Sequence, residues 1–121
     1  MAVVYYANYL RYFEAARAAL LRELGSSGQH LAALGVAFPV IEAHCRYRRP
    51  ARYDDLIDVE LTIESMAAAR IRFGYQLRRG AELLAEGWTE HACLGDNGRP
   101  CRIPHELREM FARLVPPAAS G

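Results

Sequence analysis

Arg70-Ile71-Arg72-Phe73-Gly74-Tyr75-Gln76-Leu77-Arg78-Arg79 alternates without a break, setting Ile71, Phe73, Tyr75 and Leu77 opposite Arg70, Arg72, Gln76 and Arg78. Successive side chains of an extended strand point to opposite faces, so this pattern is that of a half-buried strand. Gly80 marks a turn, and Glu82 to Leu94 returns as the second arm of a hairpin. On that arm Ala85, Gly87 and Thr89 share one face and are small enough to let a helix lie close against it. Upstream, Asp55 to Ser65 repeats the alternation, with Val59, Leu61 and Ile63 opposite Asp58, Glu60, Thr62 and Glu64. Consecutive antiparallel strands with one apolar face each call for one covering layer.

That layer is supplied from the N-terminal side. Tyr9, Phe13, Ala16, Leu20 and Leu24 recur at spacings of four and three, which traces one stripe along a helix. Asn8 is the expected N-cap, and Gly25 stands where a left-handed C-cap is wanted. Leu31 to Leu34 is ambiguous. Val36 to Tyr47 reads as a strand interrupted at Pro39, hence an edge or a bulge, and Arg48-Arg49-Pro50 ends it. Asp96-Asn97-Gly98 is a turn, and Glu106 to Leu114 a terminal helix. The order is α+β, a long helix on one face of a curved antiparallel sheet.

With 121 residues, 52% of them hydrophobic, residues 1–121 form a single domain with one modest core. A chain of this size hides only ~65% of its unfolded surface, which favours a subunit interface. Fifteen basic residues against 14 acidic leave a net charge of +1, so no overall field exists to hold nucleic acid or an anionic membrane. Every basic residue is Arg. Cys45, Cys93 and Cys101 are odd in number and lack C-x-x-C spacing, which suits free thiols in a reducing cytoplasm. His30, His44, His91 and His105 show no metal-ligand spacing, and neither a G-x-S-x-G elbow nor a glycine-rich phosphate loop is present. No signal peptide or membrane insertion is expected.

Val3-Val4-Tyr5-Tyr6-Ala7-Asn8-Tyr9, continued by Tyr12-Phe13-Glu14-Ala15-Ala16-Arg17, resembles the opening of hotdog-fold thioesterases related to 4-hydroxybenzoyl-CoA thioesterase and to the Tol-Pal-linked acyl-CoA thioesterases. Tyr47-Arg48-Arg49-Pro50-Ala51-Arg52-Tyr53-Asp54-Asp55 and Gly98-Arg99-Pro100-Cys101-Arg102-Ile103-Pro104 resemble later segments of the same family, in the same order. The resemblance implies a hotdog fold, hydrolysis of acyl-CoA to a free acid and coenzyme A, no cofactor beyond the coenzyme A of the substrate, and a homodimer or homotetramer with sites at the subunit boundary. The family signature runs Asp-x-x-Gly-Val-Val-Tyr. Ala2 takes the Gly position, so the catalytic Asp and its strand would precede Met1.

Of the groups present, the resemblance assigns the backbone N–H of Tyr6 to the thioester carbonyl, where a helix N-terminus suits an oxyanion. The rings of Tyr5, Tyr6 and Tyr9 could line an acyl pocket for an aromatic or medium-length group. Glu14 is the candidate carboxylate, since a second branch of hotdog thioesterases draws a catalytic Glu from the long helix; Arg17, three residues on, is within reach for an ion pair. Asp54 and Asp55 are further candidates. Arg52, Arg70 and Arg72, with Arg48 and Arg49, could meet the phosphates of coenzyme A. Two rival readings stay open: a non-catalytic hotdog that binds acyl-CoA or a partner, and an acyl-carrier-protein thioesterase or dehydratase relative. The dehydratase branch expects His near the helix start, where Tyr6 stands.

Overall fold

The computed structural model describes residues 7–25, 28–52 and 54–114. The chain runs α1 (Ala7–Glu23), α2 (Gly28–Ala33), β1 (Val36–Ala37), β2 (Val40–Tyr47), β3 (Asp58–Met66), β4 (Arg70–Arg79), β5 (Glu82–Ala92), β6 (Leu94–Gly95) and α3 (His105–Ala112). Four strands form an antiparallel sheet in the order β2-β5-β4-β3, and β1 pairs with β6 beside it. The α+β layout expected from the alternating strands and the single long stripe is the one observed.

Alternation in β4 fixes which face is inside. Ile71, Phe73, Tyr75 and Leu77 are all buried, and with Ile63 of β3 and Phe13 of α1 they build the core. Phe13 lies flat on Tyr75, with ring centroids 4.4 Å apart and an 11° tilt. Directly beside them is Gly87 of β5. A Cβ there would meet the His44 carbonyl oxygen at 2.1 Å and Phe13 Cε2 at 3.0 Å, so the helix sits as close as it does because position 87 has no side chain.

Pro39 separates two pairings: β1 goes to β6, whereas β2 joins β5 and becomes an outer strand, with a register shift between Val40 and Glu42. Glu64 is a second bulge, the residue left over where Ile63 pairs with Phe73 and Ser65 with Arg72. Gly25 has φ +78° and ends α1 as expected.

Several boundaries differ from expectation, among them those of the terminal helix, which runs His105–Ala112 and not 106–114. Asn8 lies within α1 rather than capping it; Ala7, a strong helix former, is already helical. β3 begins at Asp58 and not Asp55, because Asp55 closes a turn: its N–H donates to the Arg52 carbonyl at 3.1 Å and its carboxylate accepts the Arg52 N–H at 2.7 Å. Strand β5 stops at Ala92, since the Cys93 N–H donates to Ala69 at 2.8 Å. The ambiguous 31–34 segment falls within and just after the short α2.

Gly87→Ala should cost about 1–3 kcal/mol by overpacking. A loss that size in urea unfolding, against a smaller change for Gly95→Ala, where a Cβ meets nothing nearer than Asn97 Oδ1 at 3.5 Å, would confirm that helix and sheet are held by this contact.

Candidate functional site

Beyond the Phe13–Tyr75 stack the core turns polar. Arg17 Nη1 donates to Tyr75 Oη at 2.9 Å, Tyr75 Oη lies 2.7 Å from Thr89 Oγ1, Thr89 Oγ1 lies 2.8 Å from His91 Nε2, and His91 Nδ1 lies 2.9 Å from the Phe38 carbonyl. The ends of this chain fix its direction. A carbonyl only accepts, so Nδ1 carries the proton and the neutral ring accepts at Nε2. Thr89 therefore donates to His91, Tyr75 donates to Thr89, and Arg17 donates to Tyr75. Thr89 and His91 are buried, and no buried side-chain nitrogen or oxygen among the described residues lacks a partner.

Burial pushes the pKa of His91 below its ordinary value; the hydrogen bond to Phe38 opposes this and the nearby charge of Arg17 reinforces it. The chain adds a further reason. A proton on Nε2 would turn Thr89 toward Tyr75 and leave the phenol hydrogen without its acceptor.

The residues singled out by the sequence fall in separate places. Tyr6 and Tyr5 lie outside the described residues. Tyr9 is core: it is 3% exposed, its hydroxyl accepts the Ala51 N–H at 2.9 Å, and its ring packs on Tyr47 at 5.1 Å. Glu14 is exposed on α1. Its expected ion pair with Arg17 is absent, because Arg17 turns inward to Tyr75.

Arg70 and Arg72 lie near the start of β4 on the face turned away from α1, and both hold Glu90 of β5, at 3.3 and 3.0 Å. Arg72 also covers Trp88, 3.7 Å from the ring centroid. Arg52 lies elsewhere, in a recess of about 410 Å³ with Arg49, Arg79, Asp55 and Glu82 at the far end of β4. Arg79 donates to Asp55 at 2.6 Å and to Glu82, and Arg49 reaches Glu82 at 3.2 Å. The Arg52 N–H, followed by Arg79, holds the Asp55 carboxyl below the usual carboxylate range. Asp55 is thereby committed to its turn. The cysteines are free; Cys93 and Cys101 are in contact at 3.7 Å, and burial together with Cys101 pushes the Cys93 thiol up to about 12.

Residues 1–111 match the Thioesterase-like superfamily. The chain belongs to that family. Thioesterase relatives cover it at both the sequence and the structure level. It is 35% identical over 115 residues to the acyl-CoA thioesterase YbgC of Haemophilus influenzae, covering 93% of this chain and 84% of the relative. Identity to the 1,4-dihydroxy-2-naphthoyl-CoA hydrolase of Thermosynechococcus vestitus is 30% over 116 residues, covering 94% and 75%. The crystal structure of the hypothetical protein TT1821 from Thermus thermophilus superposes with a TM-score of 0.86 at 34% identity, covering 94% of this chain and 88% of that one. The hotdog fold expected for this thioesterase is thus observed.

Sequence reasoning missed the Arg17–Tyr75–Thr89–His91 chain as a unit, although its members were marked. Tyr75, Thr89 and His91 all fall on inward-facing positions of their strands, and Arg17 falls four residues after Phe13 on the buried stripe of α1.

Since the folded state disfavours protonated His91, the unfolded chain binds that proton more readily. The associated stability is complete above the unfolded value of about 6.5 and is lost as pH falls below it toward the folded value. Urea midpoints measured from pH 7.5 down to pH 5 should fall in this thioesterase, and His91→Gln should flatten that slope. An unchanged slope in the variant would assign the acid sensitivity elsewhere.

Proposed function

We propose that this chain hydrolyses the thioester of acyl-CoA to a free acid and coenzyme A, which enters as part of the substrate, with no further cofactor. The observation that carries this reading is the family match over residues 1–111. The two relatives described above are named as acyl-CoA hydrolases, which favours catalysis over binding alone. An aromatic or medium-length acyl group, in keeping with the resemblance to 4-hydroxybenzoyl-CoA and Tol-Pal-linked thioesterases, is the proposed substrate class. The free thiols agree with a cytoplasmic setting, and no helix among the described residues is long and apolar enough to cross a membrane.

Tyr6 and Glu14 are the proposed catalytic residues. Position 6 immediately precedes α1, where unpaired backbone N–H groups suit a developing oxyanion. From Ala7, where α1 begins, to Glu14 the helix rises about 10 Å, whereas reacting atoms must approach within ~3.5 Å. Glu14 therefore serves a thioester held at Tyr6 only across a subunit boundary.

Such a boundary is available at β2. As an outer strand it leaves one edge of backbone N–H and C=O groups unpaired within the chain, and Val40, Ile41 and Tyr47 are 44%, 47% and 44% exposed. A homodimer joined there, or a homotetramer of two such dimers, is the proposed assembly. For coenzyme A phosphates, Arg52 is proposed with Arg49 and Arg79, three cations facing the two carboxylates of Asp55 and Glu82. Arg70 and Arg72 are proposed as the second contact, the cost being competition with Glu90.

A thiol-release assay on short, long and aromatic acyl-CoAs tests the reading. Turnover is expected, with Glu14→Gln slower by about 10²-fold or more and Arg52→Ala raising KM with kcat kept. A folded oligomer without turnover would sink hydrolysis and leave a binding role. Sedimentation of Ile41→Asp is expected to give monomer, and an unshifted oligomer would remove β2 from the interface.

A further inference from the structure

Between α1, α2, α3 and the inner face of the sheet lies a cavity of about 110 Å³. Leu31, Phe38, Ile71, Phe73 and Phe111 form its apolar walls, and Arg17 and His91 form its polar end. The half-buried Arg17 is unusual for this chain. Arg72, Arg78 and Arg79, similarly half-buried, each hold a carboxylate, and Arg108 donates to the carbonyls of Ala67 and Ala68. Arg17 has one neutral partner, the Tyr75 hydroxyl, and no carboxylate within 4 Å among the described residues. A guanidinium offers five N–H donors, so Arg17 keeps donors to spare. Its charge also reaches His91 at the same end of the cavity, where it disfavours protonation of the ring.

An uncompensated cation beside apolar walls is costly, and an anion with an apolar body relieves the cost. His91 cannot be that partner, because it is neutral with both nitrogens engaged. We infer that this cavity binds a small apolar monocarboxylate, its carboxylate on Arg17 and its hydrocarbon against Leu31, Ile71, Phe73 and Phe111. Size limits the ligand. A cavity of roughly 150 Å³ accepts benzene, so this one accepts a chain of about three to five carbons. An acyl-CoA thioester carries no anionic oxygen at its acyl carbon; the free acid does. The site is thus one for free acid, whether released by thioester hydrolysis or taken from solution, and binding is read without any turnover.

The test is a titration of the full chain with butyrate, with butyramide as the neutral counterpart, following the ring resonances of His91 and Phe111 by NMR. Butyrate should saturate in the millimolar range and bind about tenfold or more tightly than butyramide. His91 should titrate at higher pH when butyrate is bound, because the charge of Arg17 is then offset. Arg17→Met should lose the preference for the anion, and Leu31→Phe, which fills the cavity and keeps the charge, should lose both ligands. Equal binding of butyrate and butyramide, butyrate binding untouched by either variant, or no saturable shift of either ring in wild type would each overturn the inference.

Discussion

Helix α1 can reach the sheet only because β5 has no side chain at position 87. With His44 oxygen and Phe13 both crowding the place where a Cβ would stand, the backbone of Gly87 serves as the floor on which Phe13 rests. The same approach sets Phe13 against Tyr75 at stacking distance, worth about 0.5–1.5 kcal/mol beyond the area it buries. Other placements follow. Tyr9, one turn earlier, meets Ala51 and Tyr47, and Arg17, one turn later, meets the hydroxyl of the very ring on which Phe13 lies.

The polar chain behind that stack exists because Tyr75 is a phenol. A phenylalanine there would fill the same space but leave Arg17 without its acceptor and Thr89 without the phenol that donates to it. Each buried hydrogen bond adds only about 1 kcal/mol net, whereas an orphaned group costs about 1–3 kcal/mol. The chain therefore does less to deepen the native minimum than to penalise alternatives in which β4 and β5 slip. A slip of one residue would turn Thr89 and His91 to the opposite face, away from Tyr75.

How far the sequence revealed this depends on the kind of signal each part leaves. Strand β4 was readable to the residue, because burial on one face imposes a strict period of two from Ile71 to Leu77. Helix α1 was readable from its stripe, and the role of Gly87 from the small residues on either side of it in phase. The interruption at Pro39 told of an edge, although not that β1 would leave for β6. Asp55 misled, since its alternation continued that of β3 while its carboxylate was claimed by the Arg52 N–H and Arg79. Arg17 reads as within reach of Glu14 for an ion pair, because the two stand three residues apart on a helix; the position of the Tyr75 hydroxyl draws it inward instead.

Residues that must touch a substrate are harder to read for a physical reason. Core residues are constrained by many neighbours and so imprint a period on the sequence, whereas a reactive group has to stay accessible and imprints none. On α1 the contrast is direct. Tyr9 and Phe13 announce themselves by spacing, and Glu14, proposed above as catalytic and exposed on the helix, is marked by nothing except the resemblance of its surroundings to a family. The arginines are marked even less, because Arg70 and Arg72 satisfy the alternation of β4 equally well as partners of Glu90 or as receivers of a phosphate. What separates those roles is whether a ligand anion outcompetes a carboxylate already in place. For Arg70, 62% exposed and holding Glu90 through one long contact, that competition is cheap; for Arg72, with two donors on Glu90 and its plane over Trp88, it is expensive. The two neighbours are therefore unequal candidates, and of the pair Arg70 is the one free enough to turn toward a phosphate.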